Sequence, residues 1–293
     1  MAGNAGNAGN AGNAGNAGNA GNAGNDTSVS AGWFFADRID LPFVTEITNG
    51  GTAIATEILA PTTYPERNWG ADWVAWRVLV DFTQTGWAVY ALPKWDTMPN
   101  FTTVDDEIKN LVQAAQDERA DALGEILGEA GEFVSYFMNL MTTTPTSYPA
   151  TNRVLQAASL VGLFVAMKWK AYYNRPRASQ LCPALLPPIA VPGHASYPSG
   201  HSTQAHLMAL CIADMFTRLP GTQPAAMKPL VDDLWVLADR IARNREIAGL
   251  HYPSDSAAGI ALAAATLPFL QGMAANSAYA TAVADAVVEW TWP

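Results

Sequence analysis

The sequence predicts an all-α fold, a single helical bundle preceded by a less regular segment. From residue 103 onward, apolar side chains recur at three- and four-residue intervals in one segment after another, which is the spacing of one face of an α-helix. Stretches rich in proline and glycine separate these segments, as expected for turns between helices. The chain has 293 residues, of which 49% are hydrophobic, and can therefore bury one sizeable core.

The charge and the apolar runs restrict the partners. A formal net charge of −10 argues against nucleic acid and against an acidic lipid surface. The longest apolar run, 155–167, is shorter than a membrane span, and no secretory signal peptide is visible, so the sequence predicts a soluble protein without a membrane span. It assigns no compartment and allows a homo-oligomer. Cys182 and Cys211 form either a disulfide or two free thiols.

The domain organisation follows from a change in composition. After Met1, eight Ala-Gly-Asn repeats fill residues 2–25 and offer no side chain for a core, which predicts a low-complexity, flexible tail over 1–25. Residues 26–293 are expected to form a single domain. Within it, the stretch 33–99 is expected to wrap the core, with either short strands at 78–82 and 87–90 or a helix through 73–82.

The remaining elements are predicted in order along the chain. Thr103 is a candidate N-cap, because three acidic residues follow it in what would be the first turn. Pro253 suits the first turn of a later helix. The further helices are expected at 130–141, 150–173, from 200 onward, 225–248, 254–270 and 278–290.

The segment 197–203, Tyr-Pro-Ser-Gly-His-Ser-Thr, is the centre of the candidate site. Ser199 can cap a helix that begins at Gly200. A glycine there lets the backbone approach a ligand closely, and the free N–H groups of a helix start attract anions. His201 is placed to transfer a proton to such an anion, although a lone histidine near a helix start is more often structural.

Two other segments bring cations or a histidine to the ends of helices. Lys168 continues an apolar stripe, and Arg175 lies two turns further on if that helix continues. Arg245 likewise ends an apolar stripe and is followed by His251 and Asp255. Each feature alone has an ordinary explanation, such as a lysine that reaches water, an arginine paired with Asp239 or a carboxylate that caps a helix.

Taken together, these residues predict a site for a tetrahedral oxyanion. Lysine supplies a point charge and arginine a planar fork that matches oxyanion edges. A carboxylate at Asp255 can hold one nitrogen of His251 and leave the other free for the central atom. Other site types fit poorly: His201 and His206 are five residues apart, which is the wrong spacing for two zinc ligands on a helix, and Tyr197 replaces the first glycine of Gly-x-Ser-x-Gly.

The three segments resemble the signature of the phosphatidic acid phosphatase type 2 superfamily, which includes bacterial acid phosphatases and vanadium-dependent haloperoxidases. The resemblance rests on Lys168-x6-Arg175-Pro176, on Pro198-Ser199-Gly200-His201 and on Arg245-x5-His251-x3-Asp255, and it covers 168–255. It implies the helical bundle of those enzymes. One departure is Asn244, which stands where the phosphatase pattern has serine.

Three details are similar to haloperoxidases and especially to bromoperoxidases. They are the pair Lys168-Trp169, the segment 194–201 with His194 seven residues before His201, and the segment 245–252. The resemblance then implies vanadate as cofactor, bound through His251, with peroxide and halide as substrates and His201 moving protons. The implied vanadate ligands are Lys168, Arg175, Ser199, Gly200, His201 and Arg245, and the implied halide or substrate pocket contains Trp169, His194 and Tyr197.

The alternative is an acid phosphatase without a cofactor. In that case the resemblance implies that His251 attacks a phosphomonoester, that Asp255 orients it and that His201 protonates the leaving alcohol. A third hypothesis, a bundle that binds an oxyanion without catalysis, needs only the cations.

Overall fold

The structure is a computed structural model that describes residues 63–98 and 101–292. The expected repeat tail, 1–25, and the first part of the expected wrapping segment lie outside the described residues. No strand occurs within the described ranges, and the all-α prediction is confirmed. The helices are α1 Ala71–Thr83, α2 Val104–Asp117, α3 Arg119–Gly131, α4 Val134–Leu140, α5 Pro149–Tyr173, α6 Ala178–Leu181, α7 Gly200–Thr217, α8 Gln223–Ala226, α9 Lys228–Ile247, α10 Pro253–Gln271 and α11 Ala278–Trp290.

Helix α7 is the centre of the bundle and packs against α5, α9 and α10. Two glycines allow the close approach. A Cβ at Gly162 of α5 would lie 3.0 Å from Cα of Gln204, and a Cβ at Gly259 of α10 would lie 2.7 Å from Cβ of Ser202. Contacts below 3.0 Å essentially do not occur, so α10 needs glycine at 259, where the backbone nitrogen of Thr203 is also only 2.9 Å away. At Gly162 a side chain would require α7 to shift by a few tenths of an ångström. The N-terminus of α7 is thereby held between the ends of the two helices that carry most of the site.

The described residues before 99 form a helix and not the two short strands that the sequence also allowed. Residues 71–83 form α1, and Trp87–Val89 is a single 3₁₀ turn, so the expectation of strands at 78–82 and 87–90 is wrong and the helical alternative is confirmed. The inward residues of α1, Val74, Val78 and Phe82, are four residues apart and at most 4% exposed. Packing against α5 therefore decides the structure over the β-branched composition of this stretch.

Other helix boundaries differ more modestly from the sequence-based expectations. The expected helix 130–141 is the short α4, and the preceding α3 lies where no separate helix was expected. The expected helix 225–248 is divided into α8 and α9 at Met227. The predicted caps at Thr103 and Ser199 are confirmed, since each side chain accepts a hydrogen bond from the backbone N–H three residues later.

One helical stretch bears on the expectation that the chain has no membrane span. Within the described residues, Pro149–Leu181 is long and apolar enough to cross a membrane, with a mean hydropathy of 1.2 over its best window. Two thirds of that window (67%) is buried against the rest of the fold, as in a core helix, so the stretch is weak evidence for a span. The two cysteines, whose state the sequence left open, are both free thiols.

Candidate active site

The loop before α7 is fastened to two other segments. The side chain of Ser199 caps α7 by accepting from the N–H of Ser202, and its own N–H donates to the carbonyl of Asp255 at 2.9 Å. The amino group of Lys170 donates to three carbonyls of the loop, those of Ala195 (3.0 Å), Ser196 (2.8 Å) and Pro198 (2.5 Å). The start of α7 is therefore fixed against both α5 and α10.

Lys170 and Arg177 are the cations that reach the site from the end of α5. Both side chains are almost fully buried, and Arg177 donates to the carbonyls of His194 (3.0 Å) and Leu250 (2.9 Å). Neither makes an ion pair with a carboxylate in the described part of the chain. Burial, with a further contribution from Arg177, lowers the pKa of Lys170 well below its ordinary value. Two poorly compensated cations are thus held next to the loop.

Lys168, which the sequence pattern nominated, is not brought to this cluster. It lies two positions earlier on α5, about 200° around the helix from Lys170. Its amino group donates to the carbonyl of Ala88 at 3.0 Å and lies 4.8 Å from the ring centroids of Trp87 and Trp169. Lys168 therefore contacts the segment after α1, and Lys170 occupies the position by the loop that was expected for it.

Arg175 is also placed differently from the expectation. Helix α5 ends at Tyr173, and Asn174 adopts a left-handed conformation, so Arg175 does not continue the face of the helix. Its guanidinium bonds two carboxylates, Asp255 and Glu107, at 2.7 Å each. It lies behind Asp255, and Arg177 is the arginine whose charge acts on both histidines of the site.

His251 and Asp255 form the pair that the sequence predicted. Asp255 is fully buried in the first turn of α10, and its Oδ2 lies 3.1 Å from Nδ1 of His251. The same oxygen accepts from the hydroxyl of Ser196 and from the N–H of Tyr252. Hydrogen bonding from His251 and the charge of Arg175 outweigh burial and lower the pKa of Asp255. An ionised Asp255 fixes the proton of His251 on Nδ1 and leaves Nε2 with a lone pair.

His201 lies at the start of α7 between an aromatic ring and a carbonyl. Its ring stacks on Phe133 with the centroids 4.9 Å apart and the planes at 27°. Its Nε2 lies 3.2 Å from the carbonyl of Glu129, an interaction that requires a proton on Nε2. Burial, followed by the charges of Arg245, Lys170 and Arg177, lowers the pKa of His201 well below its ordinary value. The resting imidazole is therefore neutral, with Nδ1 as a proton acceptor.

Arg245 supplies the clearest sign of a ligand. Its Nη2 donates to the carbonyl of Ile126 (3.1 Å) and to the carboxylate of Glu129 (2.8 Å), which Asn244 also contacts (2.7 Å). Its Nε and Nη1 are buried and have no hydrogen-bond partner. Buried guanidinium N–H groups without acceptors are costly, by about 1–3 kcal/mol each, so they indicate an acceptor that binds there.

The three residues expected to form a substrate pocket separate into two groups. His194 is half-buried and belongs to the site, with Nδ1 at 3.1 Å from Arg177, and burial together with the charge of Lys170 lowers its pKa to about 4. Tyr197 and Trp169 pack instead in an aromatic cluster with Tyr173 and Trp95, and the hydroxyl of Tyr197 donates to the carbonyl of Pro93.

Sequence reasoning missed several residues of the site. Lys170 and Arg177 have the same seven-residue spacing as Lys168 and Arg175, so that spacing alone could have nominated them. Glu129 and Phe133 come from the end of α3 and the turn after it, where no motif marked them. No group of three or more His, Cys, Asp or Glu side chains capable of holding a metal ion occurs within the described ranges.

Most residues of the candidate site lie in a part of the chain that a family model matches. None of the curated proteins compared with the chain matches it. Residues 151–277, which carry both histidines, Asp255 and all three cations of the site, match the family model of the PAP2 superfamily, whose members are generally phosphatases and haloperoxidases.

Proposed function

We propose that the protein is a vanadium-dependent haloperoxidase that binds vanadate through His251 and oxidises halide with hydrogen peroxide. The match to the PAP2 superfamily supports phosphoryl or oxyanion chemistry, which both haloperoxidases and phosphatases perform. The observation that carries the choice of haloperoxidase is His194. Its ring lies against Arg177, beside the oxyanion cations, in the loop segment that is similar to bromoperoxidases.

The residues present fit vanadate. The orphaned Nε and Nη1 of Arg245 need acceptors, and Lys170 and Arg177 add positive charge without a paired carboxylate. A Cβ at Gly200 would come no closer than 3.9 Å to its neighbours, one of which is Lys170, so the protein itself does not crowd this glycine. We infer that Arg177, Arg245 and the backbone of Gly200 and His201 would hold the oxygens. Lys170 would add positive charge beside them, because its three N–H groups already donate to carbonyls of the loop. When bound, vanadate would supply the Lewis-acid centre at which peroxide becomes able to oxidise a halide.

The chain's own residues have distinct roles in this proposal. Asp255 keeps the proton of His251 on Nδ1, so that Nε2 is available as a ligand. His201 is neutral at rest, and its Nδ1 can accept a proton from peroxide while the carbonyl of Glu129 holds Nε2–H. Phe133 covers one face of this imidazole and limits its rotation. His194, whose ring lies against Arg177, is proposed to contact the halide or the organic substrate.

The second candidate is a phosphomonoesterase, and the His251–Asp255 pair favours it. Nε2 of His251 would attack phosphorus and form an N–P bond as the P–O bond to the alcohol breaks, with His201 donating a proton to the leaving oxygen. Water would then attack the phosphohistidine and release phosphate. His201 must be protonated in this reaction. A bound phosphate dianion would offset the three cations that lower its pKa, and so would favour that protonation.

The test is a paired assay on the same samples, with and without vanadate. Bromination of a phenol dye with peroxide and bromide is measured beside hydrolysis of p-nitrophenyl phosphate from pH 4 to 8. The haloperoxidase proposal expects vanadate-dependent bromination that His251→Ala abolishes; turnover no faster than that of free vanadate rejects it. The phosphatase proposal expects hydrolysis that vanadate inhibits and His251→Ala abolishes. If neither activity occurs, only oxyanion binding remains.

A further inference from the structure

Arg175 is enclosed by carboxylates and aromatic rings. It is 2% exposed, and its Nη1 donates both to Oδ1 of Asp255 (2.7 Å) and to the hydroxyl of Ser254 (2.8 Å). Its Nη2 donates to Glu107 (2.7 Å). The guanidinium carbon lies 3.8 Å from the ring centroid of Tyr252 and 5.2 Å from that of Trp95. Both terminal nitrogens are therefore engaged, and two carboxylates compensate the charge.

Glu107 connects this arginine to the helix that carries Asp255. It lies in the first turn of α2, far from the motif segments in sequence, and is 2% exposed. One of its oxygens accepts from Arg175, and the other accepts from the backbone N–H of Ser254 at 2.8 Å. Ser254 is the second residue of α10 and immediately precedes Asp255. A single carboxylate thus holds both the guanidinium and the turn that presents Asp255.

The two oxygens of Asp255 are divided between two tasks. Oδ1 is occupied by Arg175, whereas Oδ2 faces Nδ1 of His251. A carboxylate bound on only one side could rotate and present either oxygen, or neither, to the imidazole. Oδ2 also accepts from Ser196 and from the N–H of Tyr252, and the contact of Arg175 holds the opposite oxygen. Arg175 therefore completes the fixation of the carboxylate, which in turn fixes the tautomer and orientation of His251.

We propose that Glu107 and Arg175 are positioning residues for His251, acting through Asp255 in a buried relay Glu107–Arg175–Asp255–His251. In this arrangement Arg175 does not bind the oxyanion, whereas Arg177 and Arg245 do and Lys170 adds positive charge beside it. The inference rests on the proposed function only in that His251 is the reacting imidazole, and it holds for the haloperoxidase and the phosphatase alike. It assigns a role to α2, which contributes no motif residue.

The experiment compares Glu107→Gln and Arg175→Lys with a matched control. Glu118→Gln removes the same charge from a glutamate that pairs with Arg243 on the surface, where both side chains are more than 40% exposed. Kinetic constants are measured for whichever activity the wild type has. Both relay variants are expected to lower kcat by about 10–100-fold, as is usual when the partner of a ligating histidine is disturbed. KM for a phosphoester should stay within about twofold, because the oxyanion cations are unchanged. Vanadate, which His251 itself would hold, should bind more weakly to both variants. The control should change neither constant.

A second readout does not depend on activity. Nitrogen-15 NMR of the histidine side chains in the vanadate-free protein reports the tautomer of His251, assigned by comparison with His251→Ala. The wild type is expected to carry the proton on Nδ1, and the relay variants a mixture of both tautomers. If the wild type has neither activity, the proposed function fails, but this measurement still tests the relay.

Three results would overturn the relay. One is a wild-type His251 with its proton on Nε2, which requires no variant to fold. Another is unchanged kcat and tautomer in Glu107→Gln. The third is a raised KM with an unchanged kcat in Arg175→Lys, which would make Arg175 a ligand of the anion. Thermal unfolding of each variant establishes that the compared proteins are folded.

Discussion

Glu129 and Arg245 form an ion pair at 2.8 Å in which each side chain is only 1% exposed. The pair links α3 to the last turn of α9, and Asn244 and the carbonyl of Ile126 complete it. It compensates one of the three cations of the site and aims the remaining N–H groups of that arginine away from the carboxylate.

Replacing Glu129 should destabilise the protein strongly. Glu129→Gln leaves a buried guanidinium without a compensating charge, and breaking a buried pair in this way costs about 3–5 kcal/mol. The free energy of unfolding, measured with urea, should fall by that order. Glu118→Gln, which breaks the exposed pair with Arg243, should cost less than about 1 kcal/mol. Equal losses in the two variants would contradict the assignment of a buried pair.

Whether Lys170 or Lys168 lies beside the oxyanion can be tested by substituting each lysine in turn. Lys170→Gln is expected to lower activity by at least about tenfold, because it removes a charge beside the oxyanion. Lys168→Gln should retain activity, since that amino group contacts the carbonyl of Ala88 and two tryptophan rings. Kinetics and isothermal titration with phosphate measure both. The opposite ranking would restore Lys168 to the site and reject the arrangement described above.

The close approach of α7 and α10 predicts a marked cost for one added methyl group. In Gly259→Ala the new Cβ would lie 2.7 Å from the side chain of Ser202 and 2.9 Å from the backbone nitrogen of Thr203, so the helices must separate. Overpacking of this kind costs about 1–3 kcal/mol. Gly124→Ala is the matched control: nothing lies within 4 Å of its Cβ, and alanine favours the helix by about 0.5–1 kcal/mol. The free energy of unfolding, measured with urea, should therefore fall in Gly259→Ala and rise in Gly124→Ala.

The lowered pKa of His194 predicts that the free energy of unfolding depends on pH. Its pKa is about 4 in the fold against an ordinary 6.5. Between these values an unfolded chain binds a proton that the folded protein does not, so the free energy of unfolding decreases as the pH falls from about 6.5 to about 4. The loss is at most about 3 kcal/mol, and solvent screening of this half-buried ring reduces it.

His194→Asn should flatten the unfolding free energy over that range when urea titrations are run at pH 4, 5, 6 and 7. His201 and His251, whose pKa values are also lowered, keep part of the slope in the variant. An identical slope in both proteins would mean that His194 titrates normally.

The helical bundle and the His251–Asp255 pair could be predicted from the sequence, because both depend on local spacing. Apolar periodicity marks α5, α7, α9 and α10, and a histidine four residues before an aspartate at a helix start brings the two side chains together. Ser199 was predictable as a cap for the same reason.

Local spacing could not predict which lysine and which arginine reach the site. Lys-x6-Arg occurs twice, offset by two residues, and the choice depends on where α5 ends. The left-handed Asn174 turns the chain there, and it directs Arg175 to two carboxylates, one of them on α2. Glu107, Glu129 and Phe133 were missed because their contacts join residues more than 60 positions apart, which no local pattern encodes.

The positive charges of Lys170 and Arg177, which have no carboxylate partner among the described residues, affect the stability of the anion-free protein. Two buried cations without carboxylate partners, next to a third, repel one another in the free protein and lower its stability. An oxyanion that enters the site removes this repulsion, and at a hundred times its dissociation constant it would add about 2.7 kcal/mol to the free energy of unfolding. The resistance of the folded chain to heat and proteolysis would then rise and fall with the supply of its anion.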